Sequence, residues 1–222
     1  MGKKIRNILK NKDVGAIGIG AMIVFIAMVL VAGIAASVLI STANKLEIRA
    51  MQTGDETRDE VSTGLAVVDV EAYKSGSVLT NMSITVRPRA GSDDIDLSET
   101  FVEISDSTTK HVLKYDHQGF KNKTEINGNL FTLSFYGFLD AQEFGIIVLE
   151  DADSSCSYTT PVINRGDKVM ITINLERCFT TNSGLTERVD VWGMVQPEEG
   201  ASAVFGFRTP ISLAGDTVFD LY

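Results

Sequence analysis

Residues 16–43 read AIGIGAMIVFIAMVLVAGIAASVLISTA and contain no charge; uncharged sequence extends from Val14 to Asn44, between Asp13 and Lys45. At about 1.5 Å per residue, a helix of this length outreaches the roughly 30 Å hydrocarbon core of a bilayer. Fifteen of its first 25 residues are Ile, Val, Leu, Met or Phe. Leaving them in water would cost on the order of 20–45 kcal/mol, at about 1.5–3 kcal/mol per large apolar side chain. They do not keep to one stripe, so the helix needs apolar surroundings on every side, either lipid or other apolar helices.

Working outward toward the N-terminus, Lys3, Lys4, Arg6, Lys10 and Lys12 stand against the single acid Asp13, a net +4 in residues 1–15. Cations in this position keep their side of a span in the cytoplasm and send the rest outward. A secretory signal peptide has an apolar core of only about 7–15 residues followed by small residues at the cut. Ser41 and Ala43 meet the second condition, but the run is too long for the first. An uncleaved single-span anchor stays open. A third route cuts ahead of the apolar run, at Gly15, where the absence of a side chain lets an enzyme approach the backbone. It would remove residues 1–15 and leave Ala16 as an apolar N-terminus. Within the run, Gly18, Ala21, Ala32, Gly33, Ala35, Ala36 and Ser37 would let copies of the helix pack closely, although small residues are common in membrane helices anyway.

Beyond Asn44 the material changes. Residues 45–64 continue the helical period as a charged neck, with Leu46, Ala50, Thr57, Val61 and Leu65 on one face; Gly54 is a point of loosening and Gly64 a stop. From Leu65 the period shifts toward two. Strands are predicted near 65–73, 79–87, 100–105, 111–115, 130–136, 144–150, 168–176, 189–195, 203–207 and 217–221, punctuated by Gly, Asn, Asp and Pro clusters. Many short strands at this spacing argue an antiparallel sandwich or barrel. Outside the first fifteen residues the chain carries 15 basic and 28 acidic residues, a net −13. That balance argues against nucleic acid and anionic membrane as partners of the head. If the head is exported, its two cysteines, Cys156 and Cys178, are expected to form a disulfide; two separate buried thiols are the alternative.

The segment GAIGIGAMIVFIAMVLVAGIAASVLISTANKLEIRAMQTG, from Gly15 to Gly54, resembles the N-terminus of archaeal flagellins, or archaellins. A bacterial type IV pilin is similar in plan but usually has glutamate at the fifth mature residue, where this chain has Gly20. RPRAGSDDIDLSET, INRGDKVMITINL and PEEGASAVFGFRTP resemble recurrent archaellin head segments. The resemblance implies cleavage between Gly15 and Ala16 by a type IV prepilin-like peptidase, although Asp13 and Val14 stand where basic residues are commoner. It implies an α+β architecture, a long N-terminal hydrophobic helix followed by an antiparallel immunoglobulin-like β-sandwich. The expected parts are a leader at 1–15, a helix at 16–64 and a head at 65–222. The implied partners are copies of itself or other archaellins, the peptidase, membrane assembly machinery and, before assembly, the membrane. The implied place is an extracellular swimming filament at the cell surface.

Chemistry finds little footing. There is no GxSxG elbow, HExxH or P-loop, and His111 and His117 read as surface residues, so no enzyme and no cofactor is expected. Asp93, Asp94 and Asp96 are candidate Ca²⁺ ligands, but the spacing matches no EF-hand, and a solvated acidic turn explains them better. Glu150, Asp151 and Asp153 read the same way, with less support still. Trp192 falls in a strand pattern and is expected in the core. Asn81-Met-Ser83 and Asn122-Lys-Thr124 match the N-glycosylation sequon. Two rival readings remain: an archaeal adhesion pilin, and a membrane-anchored β-domain of binding or stator type.

Overall fold

The structure, a computed structural model, describes residues 2–126 and 128–222, with side chains from residue 15 onward except that of Thr132. The chain divides into two compact units, the first ending at Asp55 and the second spanning Glu56–Tyr222.

Helix α1 runs from Gly2 to Ser62 without a break. No proline precedes Pro88, so nothing in this stretch removes a backbone donor. Gly54 does not interrupt the helix, and the stop comes just ahead of Gly64. Every residue from Gly15 to Ala43 is exposed. In the neck, Leu46 and Val61 are also exposed, whereas Leu65, expected on the same face, begins the first strand and is fully buried.

The second unit is built on strands β1 (Leu65–Ser75), β2 (Val78–Pro88), β3 (Ile95–Asp96), β4 (Phe101–Ser105), β5 (Lys110–Lys121), β6 (Glu143–Glu150), β7 (Val162–Ile163), β8 (Lys168–Asn174), β9 (Asp190–Gln196), β10 (Ala203–Arg208) and β11 (Val218–Asp220). Nine of them form one hydrogen-bonded sheet in the order β10-β9-β4-β5-β6-β8-β2-β1-β11, while β3 and β7 pair separately. The expected plan of a long apolar helix followed by a strand-rich, mainly antiparallel domain is borne out, with one departure: β5 and β6 run parallel. The segment between them, 122–142, crosses over the sheet in place of a tight hairpin. Parallel strands require such a crossover.

The sheet curls until its first and last thirds meet. The Leu65 N–H donates to the Ala201 carbonyl at 3.1 Å, and the Ala201 N–H donates to the Thr63 carbonyl at 2.9 Å. Gly200 makes the approach possible: its φ is +91°, and a Cβ there would strike the Thr63 carbonyl oxygen. Ser92 and Arg89 complete the seam, with the Gly64 N–H donating to Ser92 Oγ and the Arg89 N–H to the Gly64 carbonyl.

Inside the curl, Val70, Ala72, Met82, Ile84, Val86, Ile104, Phe144, Ile146, Ile171 and Ile173 form the main core, joined by Ile95 and Ile163 of the small sheet. A second apolar cluster lies on the opposite face, where Phe131, Phe135, Tyr136 and Leu139 of the crossover cover Ile147 and Met170. The predicted strand at 130–136 is therefore wrong. These residues form two 3₁₀ turns, Leu130–Thr132 and Ser134–Gly137, the first capped by Asn129 accepting from the Phe131 N–H. Their aromatic side chains point at the sheet, so their alternation served a cover and not a strand. After β8 the chain turns into a four-residue helix, Leu175–Cys178, capped by Asn174. Trp192 is about half exposed on the outside of β9, which corrects its expected place in the core.

Candidate functional site

The feature with the largest unmet demand is α1. Ile17, Met22, Phe25, Leu30 and Val38 each expose more than half of their surface, and at about 100° per residue they are spread around the whole axis. Of the described helices, Gly15–Ser62 is the one long and apolar enough to cross a membrane. Within the apolar run, the Thr42 hydroxyl donates back to the Leu39 carbonyl at 2.9 Å. At its start, Gly15 and Ala16 are exposed, and apart from the neighbouring helix backbone nothing lies within 4 Å of where a Gly15 Cβ would sit. The side chains of Asp13 and Val14 lie outside the described residues.

The two sequons differ in setting. Asn81 sits in the middle of β2, opposite Asn174 of β8, and its amide donates to the Phe131 carbonyl at 2.9 Å. Asn122 is exposed at the end of β5 and opens the 3₁₀ turn Lys123–Glu125 without making a side-chain cap bond.

The expected Cys156–Cys178 bridge is not formed; both thiols are free and buried. Both border the main core, but against different partners. Cys156 pairs with Pro161 in an isolated bridge near the small sheet, whereas Cys178, on the four-residue helix, points its Sγ at the Ala141 carbonyl 3.6 Å away. Burial pushes each thiol up to about 12; at Cys156 the negative charges of Asp151, Asp167 and Asp96 add to it.

Of the proposed metal ligands, Asp96 uses its carboxylate to accept the Ser98 N–H at 2.8 Å, while the Asp93 N–H donates to Thr63 Oγ1. Asp93, Asp94 and Asp96 line a small pocket with Asp59, Glu198 and Glu199. Among the described residues, the three carboxylates that come within 4.8 Å of one another are instead Asp151, Asp153 and Asp167. Asp167 is buried and accepts the Asn164 N–H at 2.9 Å and the Ala152 N–H at 3.3 Å. Asp153 holds its carboxyl below the ordinary range, chiefly through the Asn164 amide. Sequence reading reached Asp151 and Asp153 but passed over Asp167, fourteen residues further on. The one local signal was the Asn164-Arg-Gly-Asp167 turn.

His117 is exposed and His111 half-buried against Phe179, at 5.4 Å between ring centres. Neither is part of a nucleophile or ligand constellation among the described residues.

Comparison with known proteins agrees with the geometry. The family described as archaeal-type flagellin matches residues 15–207. Flagellin B2 of Methanocaldococcus jannaschii is 44% identical over 208 residues, covering 93% of this chain and 94% of that protein. Flagellin B3 of Methanococcus voltae is 37% identical, over 93% and 95%. Among solved structures, the crystal structure of the archaeal flagellin FlaB1 from Methanocaldococcus jannaschii superposes with a TM-score of 0.64 at 29% identity, covering 72% of this chain and 96% of that one. The subunit of the archaeal flagellum of Methanospirillum hungatei shares the fold, with a TM-score of 0.62 at 15% identity over 92% and 98%. The chain belongs to the archaeal-type flagellins, non-enzymatic subunits that polymerise into the archaellum filament on the cell surface.

Proposed function

We propose that this flagellin is made as a membrane-held precursor and enters the filament after cleavage between Gly15 and Ala16. The observation that carries the reading is the fully exposed apolar segment from Gly15 to Ala43 alongside a folded acidic head. The basic residues 1–15 orient the precursor with its head outward. A prepilin-type peptidase reaches the backbone at Gly15, where no side chain stands in the way. The freed helix then leaves lipid for the company of other copies. Both surroundings are apolar, so the transfer gains little hydrophobic energy by itself, and van der Waals packing through small residues such as Gly33, Ala36 and Ser37 must favour the filament. Extraction from the membrane calls for an energised assembly machine.

On the exported head, Asn122 is the residue we assign an N-linked glycan. Asn81 is dropped from the reading, because its amide is already spent on the Phe131 carbonyl within a paired strand. Copolymerisation with other flagellins follows from the same shared helix.

The test is to shear filaments from cells and measure the N-terminus of this chain by mass spectrometry. A start at Ala16 is expected. Intact Met1, or a start near Asn44, in sheared filaments would refute the processing step.

A further inference from the structure

A cavity of about 650 Å³ opens between the end of β5, the turn that follows it and the 151–158 loop. This lies within the roughly 300–1,000 Å³ of small-molecule sites. One wall is aromatic. The Phe120 and Tyr158 rings stand edge to face at 6.3 Å, and His117 lies 5.3 Å from Tyr158. Tyr158 is 52% exposed, so burial does not hold it there. Its backbone does. The Tyr158 carbonyl accepts the Tyr115 hydroxyl at 3.1 Å and lies 3.1 Å from His117 Nδ1. The Ser157 N–H closes the turn by donating to the Thr160 carbonyl at 3.1 Å. The wall is thus preformed, which lowers the ordering cost of binding.

The rest of the lining is polar and of mixed sign: Ser154, Ser157, Asp151 and Lys123, with Lys121 already neutralised by Glu125 at 2.8 Å. A wholly apolar ligand would strip water from these groups without replacing their hydrogen bonds. A polyanion would meet Asp151 and Glu125. A sugar ring suits both halves, since its C–H face lies on an aromatic face while its edge hydroxyls donate and accept. Asn122 lines the same cavity, so a sugar attached to its amide starts at the lip.

We propose that this cavity is a carbohydrate seat, occupied by the first sugars of the glycan on Asn122 of the same chain. The proposal rests on the reading of Asn122 as glycosylated. The sugar packs on Tyr158 and Phe120 and slows the opening of the 151–158 loop.

Hydrogen exchange on sheared filaments, read on peptides covering 115–121 and 154–160, tests it alongside glycopeptide mass spectrometry. Wild type, Asn122→Gln, Tyr158→Ala and Tyr158→Phe are compared, with sugar-free chain from a non-glycosylating host, in detergent, as the structural control. Asn122 should be modified in wild type and in both Tyr158 variants. The slow exchange of wild type should be lost in Asn122→Gln and Tyr158→Ala and kept in Tyr158→Phe, and Tyr158→Ala should change nothing in the sugar-free control. An unmodified Asn122 overturns the glycosylation reading and the proposal with it. A modified Asn122 whose removal leaves exchange unchanged, in filaments that exchange as fast as the control, overturns the seat alone. Slow exchange that survives Asn122→Gln overturns the same-chain seat. Equal loss on Tyr158→Ala with and without sugar shows a structural role and overturns the seat.

Discussion

Single residues decide how tightly the head can close. Gly119 and Gly145 face each other where β5 and β6 run parallel and their register slips between Tyr115 and Phe120. A Cβ on Gly145 would lie 2.5 Å from the Gly119 carbonyl oxygen and 2.7 Å from Thr172 Oγ1. The nearer obstacle is backbone, which yields less than a side-chain tip. We expect Gly145→Ala to destabilise the head by about 1–3 kcal/mol, the usual range for overpacking, read as a lowered urea midpoint of the detergent-solubilised chain. The two thiols make a second prediction. Held up to about 12 against an ordinary 9.0, both stay protonated at pH 8. Alkylation, which needs the thiolate, should fail on the folded chain and add two groups after unfolding without any reductant. A single disulfide-linked product would refute it. The sign for stability follows from the raised direction. The neutral thiol favours the folded state, so the contribution is complete below about pH 9, where the unfolded thiols also keep their protons. It is lost as pH rises from 9 through 12. The melting temperature should fall across that window.

At the scale of elements, α1 and the crossover at 122–142 teach opposite lessons. The apolar run was legible because nothing but a long buried helix accommodates 28 uncharged residues of this kind. One charge in its middle should therefore matter. We expect Leu30→Lys, at a cost of roughly 2.5–3.5 kcal/mol in an apolar surround, to abolish filaments on the cell surface while the head melts as in wild type. Normal filament yield would contradict the packing argument. The crossover was misread because Leu130–Tyr136 alternates like a strand. Its backbone groups are instead met by 3₁₀ turns and by side chains reaching up from the sheet, as Asn81 and Asn174 donate to the Phe131 and Tyr136 carbonyls. Met170, out of phase with the alternation of β8, is explained by the same cover: the strand is buried on both faces.

At the scale of the whole molecule, charge opposes assembly. Each chain carries a net −13 outside its first fifteen residues, and a filament brings many such chains together. Repulsion between exposed charges falls off within a Debye length, about 30 Å at 0.01 M and about 8 Å at 0.15 M salt. Filaments should thus resist heat better as sodium chloride rises from low to physiological strength, with the dissociation temperature by light scattering as the readout. A dissociation temperature that falls with salt would show that attractive ion pairs between heads prevail.

The sequence by itself determined that an apolar helix precedes an acidic strand-rich head, that the helix must be covered on every side, and that Gly15–Ala16 marks the junction. These are properties of composition and period, which local order carries in full. It also reached most strands to within a few residues, since alternation records which face is buried. Tertiary structure alone decided that nine strands form one curled sheet with a parallel pair, that Asp167 joins Asp151 and Asp153, that Asn81 is occupied and Asn122 free, and that the two cysteines stay apart. The reason is the same in each case: pairing across a sheet joins residues far apart along the chain, and no period in the sequence records which distant strand a given strand will meet.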